Sequence, residues 1–241
     1  MVSLESLAAV LVLCTVLSVL SYRFGLLTSS GAIASFAVGI IIGGLGSIGW
    51  LLTLIVFTFM GFAVTKFRFQ IKEVKGLQEG KKGERTYRNV LANGLAPALV
   101  AVLAFATGAQ DSVLATVAFI SSVAVAAADT TASELGVLSD RTYLITTGKR
   151  VPPGTDGGIS ASGTMWCVLA STVASVTGWL VVFQRLDVLV LLPVAMGVAG
   201  CMVDSLIGAT LERRGLVGKL HVNFMSMAFG SAMAVAIYAL L

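Results

Sequence analysis

The chain has 241 residues, of which 57% are apolar and 12% charged, with a net charge of +4 and a mean hydropathy of +0.96. Soluble domains run at about 45–50% apolar and about 25% charged, so the composition excludes an ordinary water-soluble globule. Nothing in it calls for a nucleic-acid partner.

A membrane-crossing helix takes about 20 mostly apolar residues. Eight apolar runs approach or reach that length, at roughly 4–22, 28–46, 48–66, 94–109, 112–128, 161–183, 188–211 and 222–241. The first run has only Glu5 before its apolar stretch and no basic flank, so it reads as a span rather than a signal peptide. The links "GSIG" and "GAQD" are short enough to make helical hairpins of the second and third runs and of the fourth and fifth. The fourth and fifth runs are short and suggest tilted or shielded segments. The fold class expected is all-α: a polytopic integral membrane protein of about eight helices, forming a single transmembrane domain over residues 1–241. Cys14, Cys167 and Cys201 all lie inside apolar runs and form no CxxC pair, so they read as small core residues.

With eight alternating spans, fifteen of the sixteen Lys and Arg residues fall on one side, and only Arg185 falls on the other. Excess Lys and Arg marks the cytoplasmic side. The substantial polar segments, about 67–93, 129–160 and 212–221, are then cytoplasmic, and both termini lie outside.

Four stretches carry chemistry. In "ADTTASELG" Asp129 stands at the expected membrane boundary, followed by Thr130, Thr131, Ser133 and Glu134. An ionisable group inside a membrane helix costs roughly 2.5–3.5 kcal/mol at the centre and less near the ends, which makes it a functional candidate. Oxygen-rich clusters suit Mg²⁺, which takes one or two carboxylates plus substrate phosphates. On a straight helix Asp129 and Glu134 lie about 140° apart, so they share a site only if the helix ends or bends between them. The same residues also read as a polar helix end facing water.

In "TTGKRVPPGTDGGIS" the prolines break any helix. Gly154, Gly157 and Gly158 permit backbone amides to converge as an anion nest, Lys149 and Arg150 add positive charge, and Asp156 adds an acceptor. A turn-rich connector is the other reading. In "ERTYRNVLANG", Arg85, Arg88, Asn89 and Asn93 line one side of an entering helix and offer phosphate donors. In "CMVDSLIGATLERRG", Asp204 sits deep in an apolar run, as either a functional carboxylate or the partner of a buried cation. Asn223, in "HVNF", adds a polar contact early in the last span. The P-loop, Rossmann and HExxH signatures are absent, so any nucleotide is held in another way.

Taken in order, "ERTYRNVLANG", "ADTTASELG", "TTGKRVPPGTDGGIS", "DSLIGATLE" and "VNF" resemble the integral-membrane family that contains the phytyl-phosphate kinase of tocopherol synthesis. That family has archaeal and animal relatives and is distantly like dolichol kinase and CDP-diacylglycerol synthase. The resemblance covers roughly residues 30–240. It implies an enzyme that phosphorylates an isoprenyl monophosphate, phytyl or geranylgeranyl phosphate, to the diphosphate, with CTP as the preferred donor and Mg²⁺ as cofactor. It implies metal ligation by Asp129, Glu134 and Asp204, and catalytic roles for Asp129, Asp204 and Arg85. Nucleotide contacts are implied at Lys149, Arg150, Gly154, Asp156, Gly157 and Gly158. Contacts to the lipid phosphate are implied at Arg88, Asn89, Asn93 and Asn223. Two alternatives stand beside it: an ion- or proton-coupled transporter using Asp129 and Asp204, and a lipid-phosphate cytidylyltransferase.

Overall fold

The computed structural model describes residues 4–241. The chain is a helical integral membrane protein. Eight helices among the described residues are long and apolar enough to cross a membrane. They are α1 (Leu4–Arg23), α2 (Ser29–Ile41, continued by a π-helical turn over Ile42–Gly46), α3 (Ile48–Lys66), α5 (Tyr87–Ala106), α6 (Val113–Gly136), α7 (Ala161–Phe183), α8 (Leu191–Ile207, continued by a π-helical turn over Gly208–Glu212) and α9 (Lys219–Tyr238). A short helix, α4 (Phe69–Val74), lies between α3 and α5.

Sequence reading placed the fourth and fifth spans at 94–109 and 112–128, too short for a comfortable crossing. The structure gives them 20 and 24 residues. The helix α5 begins earlier because Thr86 and Asn89 cap it: Asn89 Oδ1 accepts from the Thr86 backbone N–H at 2.9 Å, the reciprocal arrangement that satisfies helix-start donors. The helix α6 runs on past Asp129 to Gly136 without a break. At its polar end Asp129, Thr130, Thr131 and Leu135 are buried by neighbouring elements while Ser133 is exposed. Asp129 is therefore inside a helix, not at its end.

Almost all of α6 is buried, and it packs against α3, α5, α7, α8 and α9. Around it the bundle closes on small residues. A Cβ added to Gly200 of α8 would stand 2.3 Å from Val125 Cγ2, and one on Gly230 of α9 would stand 2.6 Å from the same atom. Helices without Cβ atoms at the contact approach closely in lipid, where packing replaces the hydrophobic drive. Trp50 of α3 stacks on Phe119 of α6 with ring centroids 4.6 Å apart. By contrast α1 is peripheral and leaves Leu11, Val12, Val16 and Val19 exposed, as a lipid-facing helix does. The three cysteines are buried.

Between α6 and α7 the chain forms a small antiparallel sheet from β1 (Thr142–Leu144), β2 (Arg150–Val151) and β3 (Gly158–Ile159), in the order β2-β1-β3. Tyr143 faces Arg150 on one side and Ile159 on the other. This sheet, the 77–79 stretch after α4 and the ends of α6, α8 and α9 meet around one cavity, so the long loops share one end of the bundle.

Candidate active site

The cavity holds about 380 Å³. Its floor is built by three helices. Asp129 comes from α6, Asp204 from α8 and Lys219 from the first turn of α9. Both aspartates are buried, at 9% and 4% exposure. The Lys219 ammonium lies 3.5 Å from Asp204 Oδ1 and 3.9 Å from Asp129 Oδ2, so the two carboxylates converge on one cation from different helices. Ser226, two turns further along α9, is 3.0 Å from Asp204 Oδ2 and 2.9 Å from the Asn223 carbonyl. The Lys219 ammonium, itself exposed, offsets both buried charges; an isolated buried carboxylate would be costly, and here neither is isolated.

The wall facing the floor is the 154–158 loop. Gly157 has φ +72°, and a Cβ there would stand 2.4 Å from the backbone N of Ala209. Only glycine lets the loop lie this close to the π-helical turn of α8, a distortion often found at functional sites. Gly154, Asp156, Gly157 and Gly158 all line the cavity. Ser160 ends the loop by capping α7, accepting from the Gly163 N–H at 3.1 Å.

Other residues expected here stand elsewhere. Glu134 lies one and a half turns beyond Asp129 on the unbroken α6, and its carboxylate is committed to different partners. Lys72 Nζ lies 2.5 Å from Glu134 Oε2, and Thr65 Oγ1 donates to Glu134 Oε1 at 2.9 Å. Glu134 borders the cavity, while its carboxylate is paired with Lys72 and Thr65 rather than turned to the aspartate pair. Lys149 and Arg150 sit at the exposed tip of the β1–β2 hairpin, outside the cavity lining. The Arg150 guanidinium donates to the Asp140 carbonyl at 3.0 Å. The hairpin turns at Gly148, φ +65°, and leaves both charges exposed to solvent.

Arg85 is buried, and its Nη2 donates to the Gly61 carbonyl at 3.3 Å and to Thr65 Oγ1 at 3.2 Å. Burial lowers its pKa, and the nearby Glu134 and Glu79 offset this. It lines a separate small cavity of about 50 Å³ between α2, α3 and α5 rather than the main one, and through Thr65 it adjoins the Thr65–Glu134–Lys72 group. Arg88 is exposed beside Tyr87, to which it donates at 3.3 Å. The Asn89 amide is occupied by Thr86 and by Glu79 Oε1, the latter at 3.1 Å. Asn93 and Asn223 do meet: Asn223 Nδ2 donates to Asn93 Oδ1 at 3.1 Å, joining α5 to α9. Asn223 Oδ1 is buried with no hydrogen-bond partner.

Sequence reasoning missed Lys219, Ser226 and the Lys72 partner of Glu134. The first two had a signal. Lys219, Asn223 and Ser226 recur at helical spacing, i, i+4 and i+7, a polar stripe on an otherwise apolar span. Lys72 had none, since it looks like any lysine in a basic loop.

The cavity lining contains six acidic residues, Glu79, Asp129, Glu134, Asp156, Asp204 and Glu212, against Lys219 as the one basic residue. Such a site cannot hold a phosphate ester without further positive charge. Among the described residues no group of three or more His, Cys, Asp or Glu side chains is placed to cage a metal ion. Two convergent carboxylates are nevertheless the usual protein share of a Mg²⁺ site whose remaining ligands are water and phosphate, and the oxygen-only donor set suits that hard ion.

The family described as integral membrane protein DUF92 matches residues 12–231. An uncharacterized membrane protein of Methanocaldococcus jannaschii is 36% identical over 231 residues, covering 95% of this chain and 93% of the relative. An uncharacterized membrane protein of Synechocystis is 35% identical over 219 residues, covering 89% and 83%. The chloroplastic protein VTE6 of Arabidopsis thaliana is 34% identical over 217 residues, covering 87% of this chain and 64% of its own length. No solved structure matches significantly.

Proposed function

The chain belongs to the DUF92 family of integral membrane proteins, and we propose that it is a membrane kinase that converts an isoprenyl monophosphate to the diphosphate, with CTP as the preferred donor. The observation that carries this reading is the cavity itself. It brings the Asp129–Asp204 pair and the glycine loop 154–158 together at one end of an apolar bundle, where a water-soluble nucleotide meets the head of a lipid. The family resemblance in the motifs supports the substrate class.

In the proposed reaction an anionic oxygen of the lipid phosphate attacks the γ-phosphorus. The bond to the β–γ bridging oxygen breaks, and the nucleoside diphosphate departs with the electron pair. The acceptor is already anionic, so no strong base is required. Phosphoryl transfer is mostly positioning and charge neutralisation. Asp129 and Asp204 are the residues that would hold Mg²⁺, which when bound neutralises charge on the transferring group. The 154–158 loop seats the nucleotide, with Asp156 at its open edge. Asn93 and Asn223 pair where α5 and α9 meet, outside the lining of this cavity, and brace the two helices beside it; the apolar helices accommodate the isoprenoid chain. The clustering of Lys and Arg supports a cytoplasmic position for this end.

The test is a screen of purified protein with Mg²⁺, the four common nucleoside triphosphates, and phytyl, geranylgeranyl and farnesyl monophosphates. A lipid diphosphate is expected, and product mass separates it from a lipid that keeps the nucleotide. Absence of any lipid product across the whole screen would remove the proposal.

A further inference from the structure

Lys219 faces two jobs that no single state of the site can satisfy. Its ammonium is within 4 Å of both Asp129 and Asp204, the place where a divalent cation between those carboxylates would exert its charge. Two carboxylates can be bridged by the lysine or by a metal, but a cation in the bridge repels the ammonium. The two groups differ in freedom. Asp204 is held by Ser226 and is buried, whereas the Lys219 side chain is 56% exposed. A long lysine stem keeps many rotamers open, so the lysine is the partner able to move. It is also the one basic residue among those lining the cavity, and thus the natural counter-charge for a phosphate that enters.

We propose that Lys219 is a displaceable counter-ion. It holds the Asp129–Asp204 pair together when no divalent cation is bound, yields that place to the cation, and then pairs with a phosphate oxygen of the nucleotide. The first half needs only the cavity geometry. The second half rests on the kinase reading.

The experiment measures Mn²⁺ binding to the purified protein in nanodiscs by electron paramagnetic resonance, without nucleotide, for wild type, Lys219→Met and Lys219→Arg. Removing the competing charge should tighten Mn²⁺ binding about tenfold in Lys219→Met, the scale of one lost charge-assisted contact. Lys219→Arg, which keeps the charge, should stay close to wild type. In turnover assays Lys219→Met should raise the nucleotide KM about tenfold. The opposite signs of these two effects are the signature, since a merely structural lysine gives equal or weaker Mn²⁺ binding on removal. If Lys219→Met does not fold, the wild-type protein answers the same question. Mg²⁺ should speed modification of Lys219 by an amine-reactive reagent, read by mass spectrometry, because the freed ammonium is more accessible. An unchanged or slower rate overturns the proposal, as does Mn²⁺ binding no tighter in a folded Lys219→Met protein. Tighter Mn²⁺ binding in a protein whose wild type transfers no phosphoryl group would keep the counter-ion and remove the kinase reading.

Discussion

Lys72 and Glu134 form an ion pair across 62 residues of sequence, with 2.5 Å between Nζ and Oε2 and both side chains largely buried. The lysine also donates to the Val64 and Thr65 carbonyls, both at 2.9 Å. It thereby ties α4 to the end of α3 and to the last turn of α6. The pair fixes the helix that carries Asp129 against the segment that supplies Leu77, Gln78 and Glu79 to the cavity. Glu134 thus borders the cavity while its carboxylate braces the helix that carries Asp129.

Breaking such a pair from one side leaves a buried charge alone, which costs about 3–5 kcal/mol. Glu134→Gln and Lys72→Met should each lower the melting temperature of the purified protein by several degrees. The Lys72→Met, Glu134→Met double variant should recover part of the loss, since removing both charges leaves neither orphaned. Equal stability of Glu134→Gln and wild type, with activity abolished, would instead favour Glu134 as a metal ligand.

The loop wall gives a sharper contrast. Gly157→Ala places a Cβ against the backbone of Ala209 at a backbone angle that side chains avoid. The loop must lift from α8, and the nucleotide KM should rise roughly tenfold or more, with a smaller change for the lipid phosphate. Lys149→Ala removes a charge from the exposed hairpin tip and should leave the nucleotide KM within about twofold, as surface charges contribute little. Steady-state kinetics of the two variants side by side decides the matter. A larger effect at Lys149 than at Gly157 would mean that the hairpin folds over the cavity during turnover.

Topology is tested with the cysteines already present, because all three are buried and give little background. Lys81→Cys and Asp111→Cys introduce thiols at exposed positions in the links before and after α5. A membrane-impermeant thiol reagent added from outside to cells should label Asp111→Cys and spare Lys81→Cys. Labelling of Lys81→Cys alone would put the cavity on the outer face, out of reach of cytosolic nucleotide.

Much of the fold was legible in the sequence because lipid forces each crossing helix to be apolar along its length, which leaves eight visible runs. The boundaries of α5 and α6 were less so. Hydropathy sees side chains, whereas Tyr87–Asn93 enters α5 through a cap and Asp129–Gly136 continues α6 with Asp129, Thr130, Thr131 and Leu135 packed against its neighbours. At the site, Asp129 and Asp204 stood out because a carboxylate in an apolar run has no inexpensive explanation. Gly154, Asp156, Gly157 and Gly158 stood out because two prolines and clustered glycines exclude a helix. The partners of Glu134 and Arg85 were not legible, because both lie within their motifs and only tertiary contact reveals that they bond to Lys72, Thr65 and Gly61. Lys219 went unnoticed because a lysine at the start of a span ordinarily marks orientation.

The central claim is that Asp129 and Asp204 serve transfer of a terminal phosphoryl group to a lipid phosphate. Its most direct test follows the label from γ-labelled CTP into lipid for wild type and Asp204→Asn, with melting temperature recorded on the same preparations. Asp204→Asn keeps the side-chain volume and removes the charge. Wild type is expected to deliver the label into a lipid diphosphate with release of CDP, and folded Asp204→Asn to lose activity by at least about a hundredfold, roughly the 2.7 kcal/mol expected for a lost transition-state stabiliser. A folded Asp204→Asn protein with near-normal label transfer would contradict it.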